Sequence, residues 1–293
     1  MSFLSHLISG ISLGSIYAII ALGYTMVYGI AKMLNFAHGD VIMVGAYSCF
    51  FLMSRFHLPV IVGVVAAMLV CTLLGVTIER LAYKPLRAAP ALAVLITAIG
   101  VSYFLQNAAL LLWTSNPKVF PSIAGNTSIK LLGGQLSISP TALLSIASCI
   151  VIMVALTWFT SSTRMGKAMR ACSEDKGAAQ LMGINVNVTI SMVFAIGSAL
   201  AAIAGILLCS AYPTLTPTTG SMPGIKAFTA AVFGGIGSIP GAMIGGILLG
   251  IIEIFGKAYI STQLSDAIVF LVLIIVLLVR PAGILGKTVQ EKV

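Results

Sequence analysis

Eight apolar windows dominate the sequence, and most of them have the length of a membrane-spanning helix. They lie at residues 7–31, 41–54, 59–79, 91–113, 140–159, 188–209, 224–257 and 265–279. A helix needs about 20 apolar residues to cross a hydrocarbon layer about 30 Å thick. The window 41–54 is shorter, which predicts a half-length or broken helix. The window 224–257 is longer than one span and contains GGIGSIPG at 234–241, which predicts a helix, a turn and a returning helix.

Charged residues are scarce outside the segments between these windows. They make up 8% of the chain, whereas 59% of its residues are hydrophobic, and a soluble domain carries about 25% charged residues. The sequence therefore predicts an all-α polytopic membrane protein with about 8–9 transmembrane helices, folded as a single domain over 1–293. The net charge of +9 comes from loops that lack interleaved aromatic residues. The basic residues are therefore better explained by membrane orientation and by binding to lipid headgroups than by binding to nucleic acid. The five cysteines form no C-x-x-C pair, so neither disulfides nor zinc are expected.

The distribution of basic residues predicts the orientation. Segments 80–90 and 164–187 and the tail after 279 carry three, four and three Lys or Arg residues, whereas segment 114–139 carries two. Basic loops stay on the cytoplasmic side of a membrane. We therefore expect the first three segments to be cytoplasmic, and segment 114–139 and the N-terminus to lie outside. The first basic residue is Lys32, so the first window reads as a retained span and not as a signal peptide.

Segment 164–187 is the longest charge-dense stretch, and it also has helical spacing. Met169, Cys172, Ala179 and Met182 follow one another at intervals that place them on one side of a short amphipathic helix. Signatures of an enzyme are missing: the GKT at 286 has Pro281 where a phosphate-binding loop has its first glycine, and there is no H-E-x-x-H. We therefore expect no ATPase or catalytic site in this chain, and we interpret 164–187 as a cytoplasmic docking loop for an external motor.

Small residues recur at intervals of four in two windows. Gly197, Ala201 and Gly205 form one stripe, and Gly237, Gly241 and Gly245 form another. Such stripes let helices approach closely in lipid, either within the chain or at a dimer or moving interface. GSIYAIIAL from Gly14 and GSALAAIAG from Gly197 also resemble each other, and five crossings lie between them. This similarity predicts an inverted repeat, or it reflects chance similarity between glycine- and alanine-rich helices.

Four polar residues inside or at the edge of apolar stretches are candidates for a translocation path. They are Asn35, His38 and Asp40, in the sequence NFAHGD, and Lys226. Ionisable residues inside a membrane usually face a cavity or a partner. The alternative for Asn35 or Asp40 is to cap the short helix that follows, and the alternative for Lys226 is to extend towards lipid headgroups. Glu253 and Lys257 are four residues apart, a spacing that favours an ion pair.

Several motifs together resemble the LivH-type permease subunits of the bacterial high-affinity branched-chain amino acid ABC importers. They include GSIYAIIALGYTMVYGI from Gly14, LNFAHGD from Leu34, ERLAYKPLR from Glu79, RMGKAMRACSEDKGAAQLMGIN from Arg164, KAFTAAVFGGIGSIPGAMIGG from Lys226, and RPAGILG from Arg280. The resemblance covers essentially the whole chain. It implies a multi-pass protein of the bacterial inner membrane that passes Leu, Ile or Val delivered by a periplasmic binding protein.

The resemblance also implies partners and contact residues. The partners are a homologous second permease of the LivM type, two cytoplasmic ATPases that hold ATP and Mg²⁺, the binding protein, and membrane lipids; this chain binds no cofactor and no nucleic acid. The loop 164–187 corresponds to the ATPase-coupling helix, and the matching residues are Arg170, Ala171, Glu174, Asp175, Ala178, Ala179, Gly183, Ile184 and Asn185. The importer pattern E-A-A-x-x-x-G is matched only loosely, by EDKGAAQLMG. The same mechanism with urea, amides or other amino acids as cargo, and an ATP-independent carrier or channel, remain alternatives.

Overall fold

The computed structural model describes residues 2–87, 89–125, 129–131 and 136–286, and helices make up most of them. The helices are α1 (Ser2–Ala31), α2 (His38–Ser54), α3 (Val60–Ile78), α4 (Ala91–Trp113), α5 (Pro140–Ser162), α6 (Arg164–Glu174), α7 (Lys176–Leu181), α8 (Val186–Ala211), α9 (Ser221–Gly234), α10 (Ile239–Tyr259) and α11 (Ser265–Val279). Helix α3 continues through a π-helical turn, Glu79–Tyr83, and a short 3-10 turn, Lys84–Leu86.

Four short strands form two separate antiparallel pairs. Strand β1 (Lys118–Val119) pairs with β4 (Thr214–Leu215), and β2 (Ile129–Leu131) pairs with β3 (Leu136–Ile138). Helix α8 runs from α7 to β4, so the strands and the α6–α7 segment lie at opposite ends of the helix bundle. These ends are named below the strand end and the loop end.

Within the described residues, six helices are long and apolar enough to cross a membrane. They are α1, α3 with its continuation to Leu86, α4, α5, α8 and α10, and α11 is apolar but shorter. The chain is therefore a multi-pass helical membrane protein. Helices α1 and α8 form its centre, because 78% of the most apolar window of each is buried, compared with 17% for α4 and 22% for α5. The apolar surfaces of α4 and α5 face outwards, as expected for helices in contact with lipid.

Glycines bring the backbones of α1 and α10 together. A Cβ atom on Gly14 would lie 2.6 Å from the Cα atom of Ile247, and one on Gly246 would lie 2.4 Å from the Cα atom of Ala18. The pairing of Gly10 with Ile251 and of Ala18 with Gly246 shows that the two helices are antiparallel. In lipid, close packing of small residues is a main source of helix association, so this contact is central to the fold.

The two small-residue stripes face helices of the same chain. Gly197 lies against Gly23 of α1, and Gly205 lies against the carbonyl of Ile42 in α2. Gly241 and Gly245 lie against the backbone of α9, Gly237 lies against Gly29, and Ala201 is buried. The structure therefore uses these residues for packing within the subunit.

The half-length helices appear where the sequence predicts them. Helices α2 and α9 have 17 and 14 residues, which correspond to about 25 Å and 21 Å. Helix α2 begins inside the bundle, because the ring of its first residue, His38, packs against Gly23 of α1 where α1 contacts Gly197 of α8. The first turns of α2 and α9 meet there, and a Cβ atom on Gly220 would overlap the carbonyl oxygen of Gly39.

The sequence GGIGSIPG forms the turn between α9 and α10. Gly235 and Gly237 have φ angles of +105° and +95°, which side chains other than glycine rarely adopt. Ser238 then caps α10 by accepting a hydrogen bond from the Gly241 amide at 3.2 Å. The tail returns to this turn, where the Ile284 and Leu285 amides bind the last carbonyls of α9 at 2.9 and 3.0 Å.

We predict that Gly205→Leu strongly reduces the yield of folded protein. Its Cβ atom would lie 2.3 Å from the carbonyl oxygen of Ile42, and backbone cannot move aside as a flexible side chain can; overpacking costs about 1–3 kcal/mol or more. Gly100→Leu in α4 is the matched control, since nothing lies within 4 Å of its Cβ position. Size-exclusion profiles and melting curves in detergent measure the difference. Equal yields and melting temperatures for the two variants would contradict this packing.

Candidate functional site

The loop-end segment consists of two capped helices, not one continuous helix. Thr163 caps α6 by accepting from the Gly166 amide at 2.9 Å. Asp175 ends α6 and caps α7, accepting from the amides of Gly177 at 2.7 Å and Ala178 at 3.0 Å. An aspartate followed by a short helix-forming run is a typical N-cap pattern, and it breaks the amphipathic helix expected from the spacing.

The predicted apolar stripe is divided accordingly. Met169, Cys172 and Ala179 are buried, but Met182 is 82% exposed and its neighbour Leu181 is 90% exposed. The chain turns at Gly183, where φ is +82°, and the Ile184 amide returns to the Ala179 carbonyl at 3.0 Å. This glycine-based helix end turns Leu181 and Met182 outwards. The sequence patterns used above did not identify Leu181 as an exposed residue. The signal that could have found it is the apolar pair Leu181–Met182 directly before Gly183, a glycine that ends the helix.

The nine residues implied by the resemblance occupy different environments. Among them, Ala179 is buried, Ala171 and Ile184 are half-buried, and Arg170, Glu174, Asp175, Ala178, Gly183 and Asn185 are exposed. Arg170 donates to the Ser161 carbonyl at 3.1 Å, and Asn185 caps α8. The nine residues thus lie in one segment with differing exposure, and several of them stabilise the segment itself.

Lys176 attaches this segment to the central helix of the bundle. Its ammonium nitrogen donates to the carbonyl of Ala31, at the C-terminal end of α1, at 2.6 Å. A cation is favoured there because the carbonyls at a helix end carry partial negative charge. Burial lowers the pKa of Lys176, and the nearby positive charges of Arg87 and Lys32 lower it further.

A second anchor joins α3 to the start of α8. Glu79 is fully buried, forms an ion pair with Arg87 and accepts from the Ser191 hydroxyl at 2.7 Å. Arg87 also donates to Asn187. Sequence analysis did not single out Glu79, because its partner Ser191 lies more than a hundred residues away.

The polar residues of NFAHGD are buried where α2 and α9 meet. The Tyr83 hydroxyl donates to Oδ1 of Asn35 at 2.9 Å, and Gln106 donates to Oδ1 of Asp40 at 2.9 Å and to the Ser221 hydroxyl at 3.3 Å. Ala37 occupies the N-cap position of α2, and no side chain of the described residues caps it. The capping role considered for Asn35 and Asp40 is therefore wrong.

His38 lies beside this group and has an unused polar atom. It is buried against the ring of Tyr24, with ring centroids 4.6 Å apart. Its Nε2 atom has no hydrogen-bond partner within the described part of the chain. An unpartnered buried polar atom costs folding free energy, and a ligand that binds Nε2 would remove this cost.

Lys226 belongs to a buried ion cluster towards the strand end. Its ammonium lies 2.8 Å from Glu253 and 2.7 Å from Asp266, so it does not extend to lipid headgroups. Glu253 also binds Lys257 at 2.6 Å, as its spacing predicts, and accepts from the Tyr17 hydroxyl at 2.8 Å. Glu253 is 1% exposed and lies within α10, five residues or more from either end of the helix.

Comparison with known proteins identifies the family. A sequence profile described as the permease component of branched-chain amino acid transport systems matches residues 6–277. The chain belongs to this family. As a family of permease components, its members are transport parts and not enzymes.

Relatives of this permease family match along nearly the full chain. The protein named high-affinity branched-chain amino acid transport system permease protein LivH from Salmonella typhimurium is 46% identical over 99% of this chain and 98% of its own length. The corresponding permease protein BraD from Pseudomonas aeruginosa is 45% identical with the same coverage. A probable branched-chain amino acid transport permease from Methanocaldococcus jannaschii is 29% identical over 93% of this chain and 89% of its own length.

We predict that Glu253→Gln destabilises this permease far more than Lys257→Gln does. The first change leaves the buried Lys226 with one anionic partner fewer, and breaking a buried pair costs about 3–5 kcal/mol. The second removes a side chain that is one-third exposed, and such pairs contribute about 1 kcal/mol or less. Melting temperatures in detergent compare the two variants. Lys226→Met/Glu253→Gln should recover part of the loss, and a double variant as unstable as the sum of the single ones would contradict the pairing.

Proposed function

We propose that this chain is the membrane-spanning permease subunit of an ATP-driven ABC importer that translocates branched-chain amino acids. The cargo, leucine, isoleucine or valine, is delivered by a periplasmic binding protein. The observation that carries the ABC mechanism is the exposed apolar pair Leu181–Met182 on a segment that is capped, buried at its base and bound to α1. The names of the relatives that are 45% and 46% identical support the cargo.

The proposed orientation follows from charge. The loop end carries Arg80 and Lys84 after α3 and four basic residues in 164–187, so we place it in the cytoplasm of the cell. The strand end then faces the periplasm, and the membrane is the inner membrane of a bacterium. Nine helices would lie in this membrane: the six long ones, α11, and the half-length α2 and α9.

The proposed repeat relates α1–α2 to α8–α9. Helices α1 and α8 are antiparallel, because Ala31 lies near Lys176 at the loop end whereas Tyr17 lies near Leu208 towards the strand end. Each is followed by a break and a half-length helix that reverses direction, and the two half-length helices meet at Gly39 and Gly220. Two broken units of opposite direction that meet at a central site are typical of inverted-repeat transporters.

Four partners would complete the transporter, namely a second permease, two ATPases and the periplasmic binding protein. A homologous LivM-type permease would form the second half of the membrane part, and two cytoplasmic ATPases would supply ATP and Mg²⁺. Leu181 and Met182 expose apolar surface that a groove in an ATPase can bury. Movement of that groove would displace α1 through the hydrogen bond from Lys176 to Ala31. The matched loop residues from Arg170 to Asn185 would stabilise the conformation of the segment.

The proposed path for the cargo passes the junction of α2 and α9. Asn35, His38 and Asp40 are buried there, and Lys226 lies further along α9. Apart from Nε2 of His38, their side-chain polar groups have partners within the described chain, so a zwitterion would find polar groups without a strong electrostatic trap.

The experiment that tests the function is leucine uptake into proteoliposomes holding the two permeases and two ATPases, with the binding protein outside and ATP at the ATPase side. We expect uphill uptake that requires ATP and that excess isoleucine or valine, but not urea, inhibits. In Leu181→Glu, uptake should fall at least about tenfold, because a charge must then enter the ATPase groove, whereas Leu181→Met should retain it. Uptake that follows a proton gradient without ATP, or normal uptake and ATPase pull-down by Leu181→Glu, would refute the proposal.

For the path, we predict that Asp40→Asn slows transport several-fold with unchanged protein yield. Asparagine keeps an oxygen for the Gln106 hydrogen bond but removes the negative charge that the cargo's ammonium group would meet. Gln106→Glu is the companion variant, since it adds a second carboxylate beside Asp40 and should slow release. Initial uptake rates per assembled transporter are the measurement. Wild-type rates in Asp40→Asn would remove Asp40 from the path.

A further inference from the structure

A pocket of about 250 Å³ lies towards the strand end, among α1, α8, α9 and α10. Its lining includes the apolar residues Leu13, Leu208 and Pro223 and the polar residues Tyr212, Glu253 and Lys257. Tyr212 and the adjoining β4 residue Thr214 are exposed, so the pocket opens at the strand end. It is separate from the buried NFAHGD group, none of whose residues lines it.

We propose that this pocket is a low-affinity station for a zwitterionic amino acid with an aliphatic side chain, taken up from the strand end on its way into the permease. The proposal rests on the proposed function for the direction of transport. The pocket itself combines the three things that such a ligand requires: a cation, an anion and an apolar wall.

The ion cluster beside the pocket has no net charge. Lys226 and Lys257 balance Glu253 and Asp266, all within 2.6 to 2.8 Å of a partner. A zwitterion leaves this balance unchanged when it enters, whereas a cationic or anionic cargo would add an uncompensated charge beside the buried groups Lys226 and Glu253. The cluster therefore favours neutral amino acids over lysine-like or glutamate-like ones.

Two members of the cluster are placed to bind the ligand's charged groups. Lys257 lines the pocket and is one-third exposed, so its ammonium can turn towards a carboxylate. Glu253 uses three of its roughly four acceptor positions, on Lys226, Lys257 and Tyr17. The remaining position, and the one that Lys257 vacates, can accept the ligand's ammonium group.

The apolar part of the lining selects the side chain. Leu13, Leu208 and Pro223 present carbon atoms that an aliphatic side chain can cover, and burial of apolar surface is favourable. The volume equals that of roughly eight water molecules at about 30 Å³ each, which suffices for leucine. Binding exchanges the Lys257–Glu253 pair for contacts with the ligand, so affinity stays low and the cargo can leave.

The test is photolabelling of the assembled transporter with a leucine analogue that carries a diazirine ring. Without ATP, we expect the label on peptides containing Leu13 or Leu208, with competition by millimolar leucine but not by glutamate or lysine. In Leu208→Trp the label on these peptides should fall at least about tenfold because the indole fills the pocket. Met192→Trp is the control, since Met192 lies on the same helix and is exposed.

Lys257→Gln covers the case in which Leu208→Trp fails to fold, since it leaves the pocket open and should also lower labelling at least about tenfold. Leucine import by the wild type with no label in the pocket, or equal labelling in all variants, would overturn the station. Labelling of the pocket in a transporter that imports no leucine would instead leave the station standing and refute the proposed function.

Discussion

Close backbone contact along α1 is the interaction on which the rest of this structure depends. In lipid, the hydrophobic effect that folds soluble proteins contributes little to the association of helices. Close packing of small residues stabilises the association instead. Gly10 and Gly14 bring α1 against α10, and Gly23 brings it against α8. A larger residue at any of these positions would separate helices that share polar contacts, and the Tyr17–Glu253 hydrogen bond at 2.8 Å would be among the first to be lost.

The same helix connects the two functional ends of the chain. Its C-terminal carbonyl at Ala31 holds Lys176 of the loop-end segment, and Tyr17 holds the ion cluster towards the strand end. Fourteen residues separate these contacts, about 21 Å of helix. In the proposed mechanism α1 moves as a unit, so that a displacement of the loop end would reach the cluster through one rigid element. This is a physical route for coupling, and double-mutant cycles between Lys176 and Glu253 would measure its strength.

Local sequence patterns predicted the elements of this fold, and contacts between distant residues account for what they missed. The long apolar windows correspond to helices, and the glycines, serine and proline of GGIGSIPG form the turn after α9 because each residue type has a fixed local geometry. The pair Glu253–Lys257 is also local. In contrast, Lys226 meets Asp266, and Glu79 meets Ser191, only after the helices pack. No periodicity encodes such a pairing. Capping is the role of Asp175, but the same prediction for Asp40 was wrong.

The charged side chains inside this permease are already paired with other side chains of the chain. This pairing explains how the interior can be polar without retaining the cargo. Asp40 is already bound to Gln106, and Glu253 is already bound to Lys226 and Tyr17. A zwitterion must replace existing contacts for most of those that it makes, so its net gain is small, whereas an unpaired buried charge would hold it tightly. Selectivity by affinity is then weak at every point of the path, and the tight choice of cargo has to be made before entry. In the proposed importer, ATP would therefore serve to change the conformation of the gate, and not to free a strongly bound ligand.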